Sequence, residues 1–172
     1  MVYTANLLTR SNLESHSLNG ETAYLYGSSW TDAWYGAEPP DNALYELEVG
    51  EDGYKWTSES KESQENEWLT AHFKTKRRIK KVAFYFSEPR YATNVTLQGS
   101  NDSTNGSDGT WATIVSGLDN TSPGGETWTV EHEFTNESWY SWYRIVMQNR
   151  PEDDPPTYYS VSVKGWMLYG IE

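Results

Sequence analysis

The sequence predicts an all-β fold, either a sandwich or a barrel, on three observations. Short segments alternate apolar and polar residues with a period of two, most clearly from Trp128 to Phe134. Clusters of Gly, Asn, Asp, Pro and Ser separate these segments, for example at 100–109, 117–125 and 151–156. No stretch has the helical spacing that would connect the strands of a parallel sheet. Roughly eight strands at this spacing are typical of an antiparallel sandwich or barrel.

The chain divides into two predicted parts, an N-terminal arm or linker at 1–20 and a β-sandwich domain at 21–172. An added strand is the alternative for the arm. The first candidate strand of the domain runs from Thr22 to Tyr26. A Pro-Pro pair excludes a central strand from the loop that follows. Residues 46–67 are acidic and poor in apolar residues, which predicts a surface excursion.

The later strands are predicted from alternating apolar positions. In the strands up to residue 97 the inward residues are Leu69, Ala71 and Phe73, then Val82, Phe84 and Phe86, then Val95 and Leu97. In the later strands they are Trp128, Val130, His132 and Phe134, then Tyr143, Ile145 and Met147, then Val161 and Val163. The last strand is the segment from Trp166 to Ile171. His132 is therefore predicted to be a core histidine, whereas His72 faces away from its apolar neighbours. The three scattered His and the absence of Cys leave no metal-ligand spacing.

Charge and motif content exclude several functions. The formal net charge of −12 argues against nucleic acid as a partner, because phosphate binding requires a basic field. One basic cluster stands apart, with six of the thirteen basic residues at Lys74, Lys76, Arg77, Arg78, Lys80 and Lys81. A solvated turn between two strands is the preferred interpretation, and a polyanion site is the alternative. No nucleophile elbow, zinc signature or phosphate loop is present, so an enzyme is not predicted.

Aromatic residues exceed what one core needs. They make up 15% of the chain, with nine Trp and thirteen Tyr. Surplus rings on a polar scaffold are typical of binding surfaces. No segment has the apolar length of a membrane span, and the start lacks the basic and apolar regions of a secretory signal. The expectation is an extracellular or virion-associated protein, either a mature module or one that reaches the outside without the secretory route.

The order of motifs resembles the discoidin family, the coagulation factor V/VIII type C domains, and is most similar to family 32-like carbohydrate-binding modules. The residues that carry the resemblance are Asn42-Ala43-Leu44, Trp56, Trp68-Leu69 with Phe73, the strand Ile79 to Phe86, Leu97-x-Gly99-Ser100-Asn101-Asp102, Trp111, Tyr143-Arg144-Ile145 and Leu168-Tyr169-Gly170. The resemblance implies a galactose-binding-domain-like jelly roll with a five-stranded and a three-stranded antiparallel sheet. It also implies that loops at one end meet the ligand.

Two positions depart from the pattern of this family. Its members commonly follow Asn-Ala-Leu with Asp-Gly beside a structural calcium, and here Tyr45-Glu46 stands there. A second calcium ligand is usually a Glu five residues before the final Gly, and here that place is Gly165. With two carboxylates missing, we expect no calcium and no other cofactor at the family site. Backbone carbonyls remain the alternative source of ligands.

The resemblance places the binding end at three loop segments. Sugar rings have apolar faces that pack on flat aromatic rings, and Arg donates hydrogen bonds to hydroxyl groups. The candidate ligand-binding residues are Trp30, Trp34, Tyr35, Arg90, Tyr91, Arg150, Tyr158 and Tyr159. The alternative for Trp30 or Trp34 is a ring that folds back to cap the sandwich.

The sequence therefore predicts a non-catalytic carbohydrate-binding or adhesion module, displayed on a surface such as a phage tail or capsid. Its partner would be a host cell-surface glycan. The alternative is a structural decoration or docking protein of a virion or other assembly, attached through its arm and without a sugar ligand. Membrane insertion is disfavoured because the first loop carries Asp32 and Glu38 in an acidic protein.

Overall fold

The structure, a computed structural model, describes residues 3, 7–18, 21–28, 32–33, 36–37, 40–43, 55–59, 65–86, 92–118, 131–148, 150–151 and 159–170. Over these ranges the chain forms fifteen strands and one short 3-10 helix. No helix in these ranges is both long and apolar enough to cross a bilayer. The larger strands form two antiparallel sheets that share one apolar core, so the predicted all-β sandwich is confirmed.

The strands are short, as the sequence predicts, apart from five of eight to twelve residues. In chain order the elements are β1 His16–Leu18, β2 Glu21–Ala23, β3 Leu25–Gly27, β4 Asp32–Ala33, β5 Gly36–Ala37, the 3-10 helix Pro40–Ala43, β6 Trp56–Thr57, β7 Asn66–Arg77, β8 Ile79–Phe86, β9 Thr93–Ser100, β10 Ala112–Leu118, β11 His132–Glu133, β12 Tyr140–Gln148, β13 Arg150–Pro151, β14 Tyr159–Ser160 and β15 Ser162–Gly170.

One sheet has five strands in the order β10-β9-β12-β7-β3, and the other has four in the order β11-β8-β15-β6. The expected count for the second sheet was three. It is four because the two-residue strands β11 and β6 form the edges of the sheet, paired with the central strands β8 and β15. Three further pairs, β1–β2, β4–β5 and β13–β14, form separate two-stranded ribbons.

Alternation places the core where the sequence predicts it. On β7, Leu69 and Ala71 are fully buried, and on β12 their register partners Ile145 and Tyr143 are also fully buried. Residues at odd positions of both strands therefore face the second sheet, because side chains alternate across a strand. Trp166 of β15 is the counterpart from that second sheet and has no exposed surface.

The first predicted strand is divided, because Asp41 competes for its amide groups. A carboxylate oxygen of Asp41 accepts hydrogen bonds from the amides of Tyr24 and Leu25, both at 2.7 Å. These two amides are then not available to bond a neighbouring strand, so the segment splits into β2 and β3 around Tyr24. Of the strand predicted at 128–134, the structure describes only the last part. There His132 is half-buried rather than buried, 6.4 Å from the ring of Phe84.

The N-terminal segment contributes to the core of the sandwich. Leu8 and Leu13 have no exposed surface. Leu13 bridges to Phe73 of β7, which belongs to the five-stranded sheet. The amide of Leu7 donates to the carbonyl of Leu168 in β15 at 2.8 Å, which belongs to the four-stranded sheet. The segment at 7–14 therefore holds both sheets.

Strand register defines two ends of the sandwich. At one end β3, β8 and β12 finish and β7, β9 and β15 begin, and we call this the loop end. At the opposite end Arg78 forms the turn between β7 and β8, and we call this the hairpin end. Residues 101–111 and 134–139 also connect strands at the hairpin end.

Candidate functional site

Three of the predicted binding segments connect strand ends that meet at the loop end. The first segment follows Ser28 at the end of β3, and the second joins β8 to β9. The third lies between β13 and β14, which come after the end of β12 and before the start of β15. Because the described ends of these strands lie side by side in the two sheets, the three segments start from neighbouring positions.

The predicted ligand residues themselves fall mainly outside the described part of the chain. Arg150 lies in β13, and Tyr159 lies in β14 with a half-buried side chain. Arg150 pairs in register with Ser160, so this ribbon brings two of the predicted positions together. The other six lie outside the described residues, namely Trp30, Trp34, Tyr35, Arg90, Tyr91 and Tyr158.

The pairing of β4 with β5 bears on two of those six residues. Ala33 pairs with Gly36, so Trp34 and Tyr35 are the two residues between the paired positions. A two-residue connection is the shortest common hairpin link. Gly, Asn and Asp are the residues that favour such turns. The pairing of β4 with β5 therefore does not by itself explain why two aromatic residues stand between them.

A buried carboxylate supports the root of the first segment. Glu67 at the start of β7 is only 2% exposed, and the hydroxyl of Ser28 donates a hydrogen bond to it. The amide of Trp68 donates to the Ser28 hydroxyl oxygen at 3.0 Å, and the amide of Ser28 donates to the Trp68 carbonyl at 2.9 Å. A buried polar group is costly unless hydrogen-bonded. This network therefore holds Ser28 in place, two residues before Trp30 in the sequence.

Hydroxyl groups hold the other sheet at the same end. The hydroxyls of Thr57 in β6 and Ser162 in β15 lie 2.7 Å apart and are both buried. The amide of Ser58 donates to the carbonyl of Val161 at 2.9 Å, and the amide of Val161 donates to the Ser58 hydroxyl at 3.1 Å. These bonds fix the approach to β15, so the loop end rests on a rigid frame.

The calcium expectation concerns two positions, of which one is described. Gly165 is buried in β15 opposite Tyr85, while Tyr45 lies outside the described residues. Asp41, beside the Asn-Ala pair of the motif, uses its carboxylate to accept the amides of Tyr24 and Leu25. Among the residues that the structure describes, no group of three or more His, Asp or Glu is placed to hold a metal ion. The absence of calcium stays a prediction.

Part of the aromatic surplus has a structural role on the outer face of the five-stranded sheet. The ring of Trp142 stacks on His72 at 4.0 Å with an interplanar angle of 3°, and Tyr26 lies 5.2 Å from it. Burial lowers the pKa of His72, which favours the neutral imidazole in this stack. Gly106 packs above Thr70 and Tyr26, so the 101–110 loop covers this face.

Sequence reasoning did not single out Trp139, at the hairpin end. Its side chain is 51% exposed, and among the described residues it is the one large apolar side chain that is exposed. The residues before it, from Thr135 to Ser138, are polar, and β12 begins directly after it at Tyr140. A Trp that stands at the end of a polar run, outside the strand that follows, is the signal that marks it.

Solved structures with the same fold are carbohydrate-binding modules. A chitosan-binding module 2 from a chitosanase/glucanase of Paenibacillus sp. IK-5, solved with chitotriose, is 20% identical with a TM-score of 0.59, covering 85% of this chain and 95% of that chain. The family 32 module of Clostridium perfringens NanJ, solved with galactose, is 13% identical with a TM-score of 0.62, covering 98% and 99%. A family 32 module from a family 31 glycoside hydrolase of Clostridium perfringens is 14% identical with a TM-score of 0.62, covering 94% and 92%.

No protein-family model matches the sequence of this chain, and no curated protein matches it. At 13–20% identity, the structural similarity establishes the fold, which is the sandwich of the family 32 modules and of the discoidin-like galactose-binding domains.

Proposed function

We propose that this chain is a non-catalytic carbohydrate-binding module that works outside the cell, and that its glycan site is the loop end. One observation carries the proposal: three segments rich in Trp, Tyr and Arg start from adjacent strand ends on a rigid frame. Support also comes from the fold, because similar structures were solved with chitotriose and with galactose.

The proposed chemistry is ring stacking combined with hydrogen bonds. Trp30, Trp34 and Tyr35 would offer flat faces to the apolar side of a sugar ring. Arg90 and Arg150 would donate to adjacent hydroxyl groups and fix the orientation of the sugar. Tyr91, Tyr158 and Tyr159 offer both a ring and a hydroxyl. A preformed site of this kind loses little conformational entropy on binding.

Charge narrows the class of glycan at the loop end. The connection between β13 and β14 contains Glu152, Asp153 and Asp154. Carboxylates near a binding site repel anionic ligands and favour cationic ones. The loop end is therefore proposed to accept neutral sugars or amino sugars.

Display in several copies would raise the avidity of such a site. One small sugar site has modest affinity, and linked copies multiply it through effective concentration. Placement on a phage tail or capsid is the proposed setting, and detection of the protein in purified particles tests it. Docking by the N-terminal segment without a sugar is the alternative. The burial of Leu8 and Leu13 favours the sugar-binding proposal, because these apolar side chains are occupied within the sandwich.

A glycan array with a multimeric form of the protein tests the proposal. We expect the wild type to bind neutral or amino sugars, and Trp34→Ala to lose that binding while it keeps its melting temperature. Trp139→Ala is the matched control, since it removes an exposed Trp at the other end and should retain these ligands. The proposal fails if the wild type binds no glycan, or if Trp34→Ala and the wild type bind neutral and amino sugars equally.

A further inference from the structure

The hairpin end presents an aromatic ring in a fixed position. Asn101 donates its side-chain amide to the carbonyl of Trp139 at 3.0 Å and accepts the amide of Ser141 at 3.2 Å. Buried Asn136 donates to the carbonyl of Ile79 at 3.0 Å, which anchors the same segment to β8. Trp139 nevertheless keeps 51% of its surface exposed. Ordering this segment costs conformational entropy, although the indole of Trp139 is not part of the core.

A guanidinium lies against this ring. The central carbon of Arg78 is 5.4 Å from the centroid of Trp139, within the range of a cation–π contact. One Arg78 N–H donates to Glu137 at 3.0 Å, and among the described residues this is its one side-chain hydrogen bond. An Arg side chain carries five N–H donors in a planar fork that matches a carboxylate or sulfate. Arg78 thus has spare donors beside an exposed ring.

Glu137 links this ring to a neighbouring pocket. Its second oxygen accepts a hydrogen bond from Lys80 at 2.6 Å, and this bond, with the positive charge of Lys80, lowers the pKa of Glu137. Lys80 also forms one wall of a pocket of about 280 Å³. Among the described residues, the other walls are Tyr3, Glu133, Phe134 and Thr135. Rings and hydroxyls of this kind suit a sugar residue next to one stacked on Trp139.

Six basic residues of this acidic chain are concentrated at this end, where they lie among the carboxylates of Asp102, Asp108, Glu131, Glu133 and Glu137. The basic cluster noted in the sequence lies on β7, the turn and β8 at this end. Within the described residues, Lys80 and Arg78 pair with Glu137 and Lys81 pairs with Glu131, whereas Lys74, Lys76 and Arg77 form no ion pair. Register places Arg77 opposite Tyr140, the residue next to Trp139. Arg77 donates to the side-chain oxygen of Asn12 at 3.1 Å, so Arg78 is the cation that the structure places against the ring.

Distance separates the electrostatic field of the basic residues at the hairpin end from that of the acidic loop end. A strand of eight residues such as β8 spans roughly 25 Å at about 3.3 Å per residue. Charges farther apart than a Debye length, about 8 Å at physiological ionic strength, are largely screened. The net charge of −12 therefore does not decide which ligands approach the hairpin end.

From this geometry we infer that the hairpin end is a second carbohydrate-binding surface, selective for acidic glycans that carry carboxylate or sulfate groups. Trp139 stacks on the sugar ring, and Arg78 binds the acidic substituent with help from the field of Lys76 and Arg77. The surface is separate from the loop end and does not depend on it.

Calorimetric titration of the full chain with a galacturonic acid tetramer and with a neutral galactose tetramer tests this inference. We expect Trp139→Ala to weaken binding of the acidic tetramer on the order of tenfold. Arg78→Gln should weaken it similarly and flatten its dependence on salt, because a charge contact is removed. Binding of the neutral tetramer should be unchanged in both variants, and melting temperatures confirm that the variants are folded.

Trp34→Ala separates this surface from the loop end. The variant should keep its affinity for the acidic tetramer even if it loses neutral sugars, so each site can fail without the other. The inference is overturned if the wild type does not bind the acidic tetramer, or if folded Trp139→Ala binds it as tightly as the wild type. Equal affinity for a single-stranded DNA oligonucleotide of the same charge would also overturn it, since that outcome indicates a general polyanion patch.

Discussion

The hydroxyl of Tyr143 donates a hydrogen bond to the backbone carbonyl of Arg77 at 2.8 Å. The same oxygen accepts the amide of Ile79 at 3.3 Å, so one side chain from β12 holds both sides of the turn between β7 and β8. Burial raises the pKa of Tyr143 far above its ordinary value, so the hydroxyl keeps its proton at every pH at which the protein is used. The hairpin end is thus built around a neutral, buried phenol.

Tyr143→Phe should destabilise the protein by about 1–3 kcal/mol, because a buried amide and carbonyl lose their partner while the ring volume is kept. Urea denaturation of the wild type and the variant measures the difference. Tyr85→Phe, on the outer face of β8, is the control and should change the free energy of unfolding by less than about 0.5 kcal/mol. Equal stabilities for Tyr143→Phe and the wild type would contradict the assigned hydrogen bonds.

Leu8→Ala and Leu13→Ala should each cost about 2–5 kcal/mol, the range for a leucine removed from a packed core. Both side chains have no exposed surface. Ser15→Ala, in an exposed position of the same segment, should stay within about 0.5 kcal/mol of the wild type. If the leucine variants unfold at the wild-type denaturant concentration, the segment at 7–14 is not part of the sandwich.

Asp108 should make stability fall in acid. Hydrogen bonds from Thr104 and Ser103 lower its pKa from 3.8 to about 2. A carboxyl group whose pKa is lower in the folded state stabilises fully above its unfolded value, and loses that contribution as pH falls through its folded value. We expect the wild type to lose stability between about pH 4 and pH 2 more steeply than Asp108→Asn. Urea midpoints across this window measure it, and identical slopes would refute the role of Asp108.

Gly99→Ala should destabilise the five-stranded sheet. A Cβ atom at this position would lie 2.5 Å from Cγ of Tyr140, which real contacts do not allow. Overpacking of this kind costs about 1–3 kcal/mol. Adding Tyr140→Ala should recover part of the loss, and a double-mutant cycle of unfolding free energies measures the coupling. Strictly additive effects would show that the two positions do not collide.

Gly117→Ala provides a contrasting case in the neighbouring edge strand. No atom lies within 4 Å of its Cβ position, but φ is +69°. The cost should therefore come from the backbone alone and be about 1–2 kcal/mol, with no recovery from Tyr140→Ala. Denaturation of the two variants side by side distinguishes collision from backbone strain.

Alternation made the central strands predictable from sequence. Leu69, Ala71 and Phe73 face the core because a strand that covers an apolar layer must place every second residue inward. Asp41 was different, since its effect on Tyr24 and Leu25 depends on a contact between residues sixteen or seventeen positions apart. Local pattern contains no information about such a contact. Leu8 and Leu13 likewise lie in a polar segment without a period, and only their packing shows their role.

The aromatic residues of β12 were predictable only in part. Tyr140, Trp142 and Tyr143 occupy both phases of this strand, and alternation with Ile145 and Met147 places Tyr143 inside but does not show what covers Trp142. In the structure Tyr143 faces the core, while Trp142 is buried on the opposite face beneath the 101–110 loop. The candidate residues at the loop end stay predictions, because six of them lie outside the described residues. Arg150 and Tyr159 lie on one two-stranded ribbon, and their role in binding also stays a prediction.

The hydrogen bond between Leu7 and Leu168 has a consequence for chain connectivity. Two positions more than 160 residues apart in sequence are neighbours in space, so a short peptide could join them without disturbing either sheet. New ends could then be opened at Gly117, an exposed position in an edge strand. A circular permutant of this design should fold to the same sandwich, since the order in which the chain visits the strands is independent of how their side chains pack.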